Sequence, residues 1–310
     1  MQLPSSDIRA ALVVAHPSHE LRVYGWLELV RPRVFVMTDG SGRSGQAQLS
    51  STTKVLTQVG AQPGSIYGRI TDMELYAALL NKNFDLFIKL SDELADSLLV
   101  ERIECVVGDA AEGYSSAHDI CRLVINAAVE MIRLKHGCRI SNFDFLVVGL
   151  PDEYSGRDGD EAIWIRLDDH TFLRKVAIAH DYSPRLAADV DAALKGERFQ
   201  GIKHLVEPQL AGQVDTVVHQ MILAALNSRP ELDAQVKGVF SGVELDAFRM
   251  ECLRPVSDQR SRPDAKETPP FYELYGENLV AAGRYDQVIS YRDHIRPLAD
   301  ALWEHVERSV

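Results

Sequence analysis

The chain has 310 residues, 33 Lys and Arg against 45 Asp and Glu, and a formal net charge of −12 at pH 7, which excludes nucleic acid and anionic membrane as main partners because both need a basic face. Its 46% hydrophobic and 25% charged content is that of an ordinary globular protein long enough for one large core. No apolar run reaches the roughly 18 residues of a membrane span, Met1 to Arg9 has no signal-peptide pattern, and Cys105, Cys121, Cys138 and Cys252 form no CxxC pair, so the cysteines read as intracellular thiols and the protein as cytoplasmic.

Leu12 to Ala15 reads as a first strand, and Glu20 to Val30 as a helix with Leu21, Tyr24, Leu27 and Val30 on one face. Arg33 to Thr38 is a second strand, Thr53 to Val59 a helix closed by Gly60, and Ser65 to Gly68 a weak third strand. A long helix over Phe84 to Arg102 leads to a fourth strand, Cys105 to Gly108, then a helix over Ala117 to Leu134 and a fifth strand, Phe143 to Gly149. Near-continuous apolar strands alternating with helices predict an α/β fold: a Rossmann-like, doubly wound, mostly parallel sheet in three layers. In the order 3-2-1-4-5, the loops after strands one and four face each other at the switch point, where ligands bind. Beyond it, Ala162 to Leu167 reads as an added strand and Thr171 to Leu194 as a helix around Pro184. Leu253 to Pro270 holds four prolines among polar residues and reads as a mobile loop or a lid, before helical patterning resumes over Phe271 to His305. The expected division is a core over 1–200 and a helical extension over 201–310, with the Pro-rich loop at 253–270, packed on that core.

The switch point gathers the chemistry. His16 and His19 lie in the loop after strand one, and His118 lies in the loop after strand four. Three imidazoles with water in a fourth position make a catalytic metal site; they suit zinc, and another divalent metal remains open. The other seven histidines read as surface or core groups. Asp39, Asp109, Glu112 and Asp119 are carboxylates of the same crevice able to move protons, with Asp109 first because it ends strand four. Glu20 reads either as a helix-start carboxylate or as a group that orients a ligand histidine. Ser18, Arg43, Glu112 and Tyr114 line the same loops as candidate substrate contacts. Gly40-Ser41-Gly42-Arg43-Ser44-Gly45 is a literal G-x-G-x-x-G after a strand, the pattern of a dinucleotide cradle, although it follows the second strand and a polar loop succeeds it.

Ala15-His16-Pro17-Ser18-His19-Glu20, followed by Val34 to Met37 and Thr38-Asp39-Gly40, resembles the opening of the LmbE-like (PIG-L) zinc N-deacetylases. Their signature is Ala-His-Pro-Asp-Asp-Glu, then a strand ending in Thr-Asp-Gly. His118 matches the last histidine of their His-Pro-Asp-His motif, and Ile165 to Tyr182, with Arg174, Lys175 and Tyr182, resembles their later segment more weakly. The resemblance implies a Rossmann-like fold, a zinc ion on His16, His19 and His118, and a small-molecule substrate, an amino-sugar-containing metabolite that loses an N-acetyl group. A homo-oligomer is also compatible with it.

Four departures qualify that implication. His19 stands at the family's aspartate ligand, which makes the site more positive by one charge. Ser18 stands at its general base, Ser115 replaces the first histidine of His-Pro-Asp-His, and Ser51-Thr52-Thr53-Lys54 offers no match to the family's Arg-x-x-Glu. A three-histidine site can bring bound water to a pKa near 7 without an adjacent strong base. Three readings follow: an altered metal hydrolase, a binding relative that has lost the base, and a nucleotide-dependent oxidoreductase using NAD(P)H through Gly40 to Gly45.

Overall fold

Strand β1 (Ala10–Val14) is five apolar residues, all buried, and its alternate side chains enter two separate cores. Ala11 and Val13 face one core; Ala10, Leu12 and Val14 face the other. β2 (Arg33–Thr38) divides in the same way, with Phe35 and Met37 on one face and Val34 and Val36 on the other. A strand can be apolar on both faces only when both are covered, which is the physical content of the three-layer expectation. The computed structural model describes residues 8–42, 45–151, 162–182, 248–256 and 269–309.

The described strands form one seven-stranded sheet. With β3 (Gln62–Ile70), β4 (Cys105–Asp109), β5 (Ser141–Phe145), β6 (Ile163–Arg166) and β7 (Met250–Pro255), its order is β3-β2-β1-β4-β5-β7-β6. The first five strands are parallel in the expected order, and β7 runs antiparallel between β5 and β6. β1 is therefore flanked by β2 and β4, and the chain turns outward in opposite directions on either side of the β1/β4 pair. This is the Rossmann-like α/β architecture.

One face carries α1 (Tyr24–Val30), α2 (Leu49–Val59) and α6 (Asp169–Tyr182). The other carries α3 (Asp72–Leu80), α4 (Asp85–Val100), α5 (Ser116–His136) and the C-terminal helices α7 (Phe271–Ala281) and α8 (Arg296–Arg308). Helix α5 is the spine: capped by the Ser115 hydroxyl at its start and by left-handed Gly137 at its end, it is buried from Ser116 to Ile132. It reaches the sheet closely because β4 has a glycine there. A Cβ on Gly108 would stand 2.6 Å from the Val13 carbonyl oxygen and 2.5 Å from the Ile125 side chain.

Several boundaries differ from the sequence expectation. The segment after β1 begins as a 3-10 turn (His19–Val23) before α1, because Ser18 enters it with φ of 84° instead of a normal cap geometry. α3 was not expected: Met73 to Leu80 is almost uniformly apolar and has little one-sided periodicity, although Thr71 and Glu74 form a capping box at its start. β3 is longer than expected and β5 ends at Phe145, not Gly149. The expected Pro-rich loop is corrected at its beginning, where Leu253, Arg254 and Pro255 belong to β7. Its residues 257–268 lie outside the described residues, as do the expected helix beyond Tyr182 and most of 201–310.

The described part of the C-terminal extension is largely helical and also contributes β7 to the sheet. Glu251 on β7 shows why. Its buried carboxylate accepts from the amides of Gly25 at 2.8 Å and Trp26 at 3.0 Å, and from Lys175 Nζ at 2.8 Å. One acid thus caps the start of α1 and neutralises a buried cation on α6.

Candidate metal centre

The three histidines meet at the carboxyl ends of β1 and β4. Their ring centroids form a triangle: His16 to His19 5.4 Å, His16 to His118 6.0 Å and His19 to His118 4.7 Å, all edge to face. All three are buried, His19 and His118 completely. Among the described residues, no group of three or more His, Cys, Asp or Glu side chains stands where it could hold one metal ion as placed. What the structure supplies is a set of ring nitrogens brought close together and their supports.

His19 is held by Asp109. Its Nδ1 lies 2.8 Å from Asp109 Oδ2, an oxygen that also accepts the Ala15 amide at 2.8 Å. Burial alone would raise the Asp109 pKa, but His19, then His118 and the Ala15 amide, outweigh it and hold the carboxyl below its usual range. An ionised carboxylate only accepts, so His19 Nδ1 carries the hydrogen and Nε2 the lone pair. That Nε2 has no hydrogen-bond partner, nor does Asp109 Oδ1. Burial lowers the His19 pKa despite the pull of Asp109, leaving a neutral ring.

His118 sits in the first turn of α5, with neither ring nitrogen hydrogen-bonded. Burial pushes its pKa far down, helped by His19 and His16 and opposed by Asp109. The positive end of α5 acts in the same direction. His16 stands on the opposite side, its Nδ1 2.8 Å from Thr38 Oγ1 and 2.9 Å from Asp72 Oδ1. Asp72, in the first turn of α3, was missed at the sequence level together with its helix; the Thr71–Glu74 capping pattern was the signal that marked that helix start.

The expected carboxylates divide. Asp109 lies between β1 and His19. Asp39 accepts the Ser41 amide at 2.9 Å and shapes the turn after β2. Asp119 accepts the Gly113 amide at 3.1 Å, folding the loop that precedes α5. Glu112, expected in the crevice and at the substrate, is turned toward the chain after β5, where it accepts from the amides of Val147 and Val148. Burial pushes its carboxyl up to about 8 against those two bonds. Glu112→Gln keeps one acceptor oxygen and turns its NH2 toward the other amide, so it is expected to cost about 1 kcal/mol in a chemical melt at pH 7. Glu112→Ala leaves two amides without an acceptor and is expected to cost about 1–3 kcal/mol.

Glu20 is fully buried beside the Thr52–Tyr182 hydroxyl pair, itself joined at 2.6 Å, and burial pushes its carboxyl up to about 7. It stands in the first turn of the 3-10 segment. Tyr114 is buried and stacks on Phe271 at 4.7 Å, a packing role. Ser18 is buried in a left-handed backbone conformation, a strained setting for a non-glycine residue between two candidate ligands. Arg43 lies outside the described residues. The described residues of the glycine-rich loop do not make a phosphate cradle: the Gly42 amide donates to Asp72 Oδ2 at 2.6 Å, and α2 starts only at Leu49. A carboxylate in that position repels a pyrophosphate.

No family model and no curated protein matches the chain. A solved structure that it resembles is that of the antimicrobial reagent A40926 pseudoaglycone deacetylase, at 14% sequence identity over 80% of this chain and 96% of that one, with a TM-score of 0.41. At that score the likeness carries no argument about chemistry. Among the described residues no helix is long and apolar enough to cross a membrane.

Proposed function

We propose that the chain is a metal-dependent hydrolase of C–N amide bonds, with zinc or another divalent metal held by His16, His19 and His118. The reaction expected from the sequence resemblance is removal of an N-acetyl group from an amino-sugar-containing metabolite. The observation that carries the reading is His118, a completely buried imidazole with no hydrogen bond at either nitrogen. Leaving a buried polar group unsatisfied costs about 1–3 kcal/mol, and a ligand removes that cost. No hydrogen bond holds the ring away from His19 Nε2 and His16.

A bound metal supplies Lewis acidity and a nucleophile at neutral pH. The chain's residues do the rest. Asp109 fixes the tautomer of His19, and its second oxygen, buried and ionised, is assigned the proton transfer that Ser18 cannot perform. Burial keeps His19 and His118 neutral, as ligands must be. Glu112, with both oxygens on backbone amides, is left out of proton transfer.

Purified protein is expected to carry about one zinc per chain, to lose it in His19→Ala, and to release acetate from N-acetylated amino sugars. A metal-free wild type that stays fully folded and takes up no added divalent metal overturns the reading. Ser18 favours the second reading, a binding protein that kept the site and lost the base. Zinc-loaded wild type that is inert, while Ser18→Asp hydrolyses the same substrates, decides for it.

A further inference from the structure

We infer that Asp72 is a positioning residue that joins the glycine-rich loop after β2 to His16, so that metal binding and the state of that loop are coupled; this deepens the metal reading above and rests on it. The proton assignment comes first. The Thr38 hydroxyl donates to the Ala15 carbonyl at 3.1 Å, so toward His16 Nδ1, 2.8 Å away, its oxygen is an acceptor. Asp72 Oδ1 lies 2.9 Å from the same nitrogen as an ion-pair neighbour without a hydrogen bond of its own. The Thr38 acceptor and the neighbouring carboxylate place a ring hydrogen on Nδ1, which makes Nε2 the nitrogen to offer a metal. Asp72 therefore supports His16 by its charge, where Asp109 supports His19 by a hydrogen bond.

Asp72 differs in what its other oxygen holds. Oδ2 accepts the Gly42 amide at 2.6 Å, so one buried carboxylate spans the candidate ligand and the loop. A second contact makes the same junction. Gly40 has φ of 67°, and a Cβ there would stand 2.8 Å from Pro17 Cδ, the residue that follows His16. The loop thus rests directly on the ligand-bearing turn. Asp72 is anchored by the capping box at the start of α3, where the helix dipole favours its charge. When a metal draws on His16, the carboxylate stiffens, and by linkage a loop held by Asp72 strengthens the metal site.

Asp72→Asn tests this because an amide has one acceptor where the carboxylate has two. The variant must either give up Gly42 or present an N–H to a ring N–H. In 15N-histidine spectra of the metal-free protein, wild-type His16 is expected as the Nδ1–H tautomer and the variant as a mixture, with faster hydrogen exchange at the Gly42 amide. Zinc affinity, measured by competition with a chromophoric chelator, is expected to fall about 10–100-fold. In the wild type, zinc is expected to slow exchange at Gly42. An unchanged His16 tautomer with unchanged zinc affinity in a folded variant overturns the proposal. So does zinc binding to the wild type that leaves Gly42 exchange unaltered, a measurement that stands even when the variant fails to fold. If the wild type binds no zinc, the functional reading fails instead, and the tautomer arm still reports on Asp72.

Discussion

His118→Leu is expected to stabilise the metal-free protein by about 1–3 kcal/mol and to abolish zinc binding. The wild type buries two ring nitrogens that find no partner, while leucine fills similar space and asks for none. With zinc present the order inverts. A ligand at a thousand times its dissociation constant adds about 4 kcal/mol to the wild type and nothing to a variant that cannot bind it. Melts with and without zinc therefore cross, a pattern that simple loss of a core residue does not produce. The pH dependence has a fixed sign. The unfolded chain binds a proton on His118 near pH 6.5, and the folded chain, its imidazole pushed far down by burial, does not. The unfolded state thus holds more protons, and the wild type loses about 1.4 kcal/mol per pH unit through this ring as pH falls below about 6.5. Glu20 and Glu112 act oppositely: their raised carboxyls, at about 7 and about 8, stabilise the fold at low pH and lose that contribution as pH rises through those values. The total profile is flattened, so the informative quantity is the difference between wild type and variant. That difference should widen from pH 7.5 to pH 5.5. A variant less stable than metal-free wild type across that range, or one that retains zinc, contradicts the assignment.

The sheet order was legible because β1, β2 and β4 are nearly continuous apolar runs and the helices between them are not. The same regularity placed His16, His19 and His118 beside one another from chain positions about a hundred apart. What stayed hidden has a physical reason in each case. Asp72 lies on a helix whose apolar residues run all round it, so periodicity gives no face to read. β7 is a short, partly buried run that ends in Pro255, and its key residue, Glu251, has partners 225 and 226 positions away. Asp109 was found by its place at the end of β4. Its partner was not, since nothing in the spacing says that His19 takes one of its oxygens. Ser18 was read as a lost base, whereas its backbone also shows strain between the two ligand candidates that no composition reveals.

Asp109 separates support from catalysis. Asp109→Ala removes the acceptor of both the Ala15 amide and His19 Nδ1–H at a completely buried position, and is expected to cost about 3–5 kcal/mol. Asp109→Asn keeps the shape. Its amide oxygen can occupy the position of Oδ2, with the NH2 group where Oδ1 has no hydrogen-bond partner, so stability should fall by only about 1–2 kcal/mol. The lost negative charge has another consequence. The carboxyl is held below its usual range, chiefly because His19 overcomes the effect of burial, and so it is ionised wherever the protein folds well. Its contribution to stability is present above pH about 3.9 and disappears as pH falls through the lower folded value. An asparagine cannot take a proton, and turnover is expected to drop by about 10²–10⁴. Zinc affinity should weaken by about 10–100-fold as His19 loses its anionic partner. Excess zinc restores the second loss and leaves the first. If zinc restores turnover as well, Asp109 only orients His19, and the proton passes to Glu20, whose carboxyl at about 7 is suited to exchange at neutral pH.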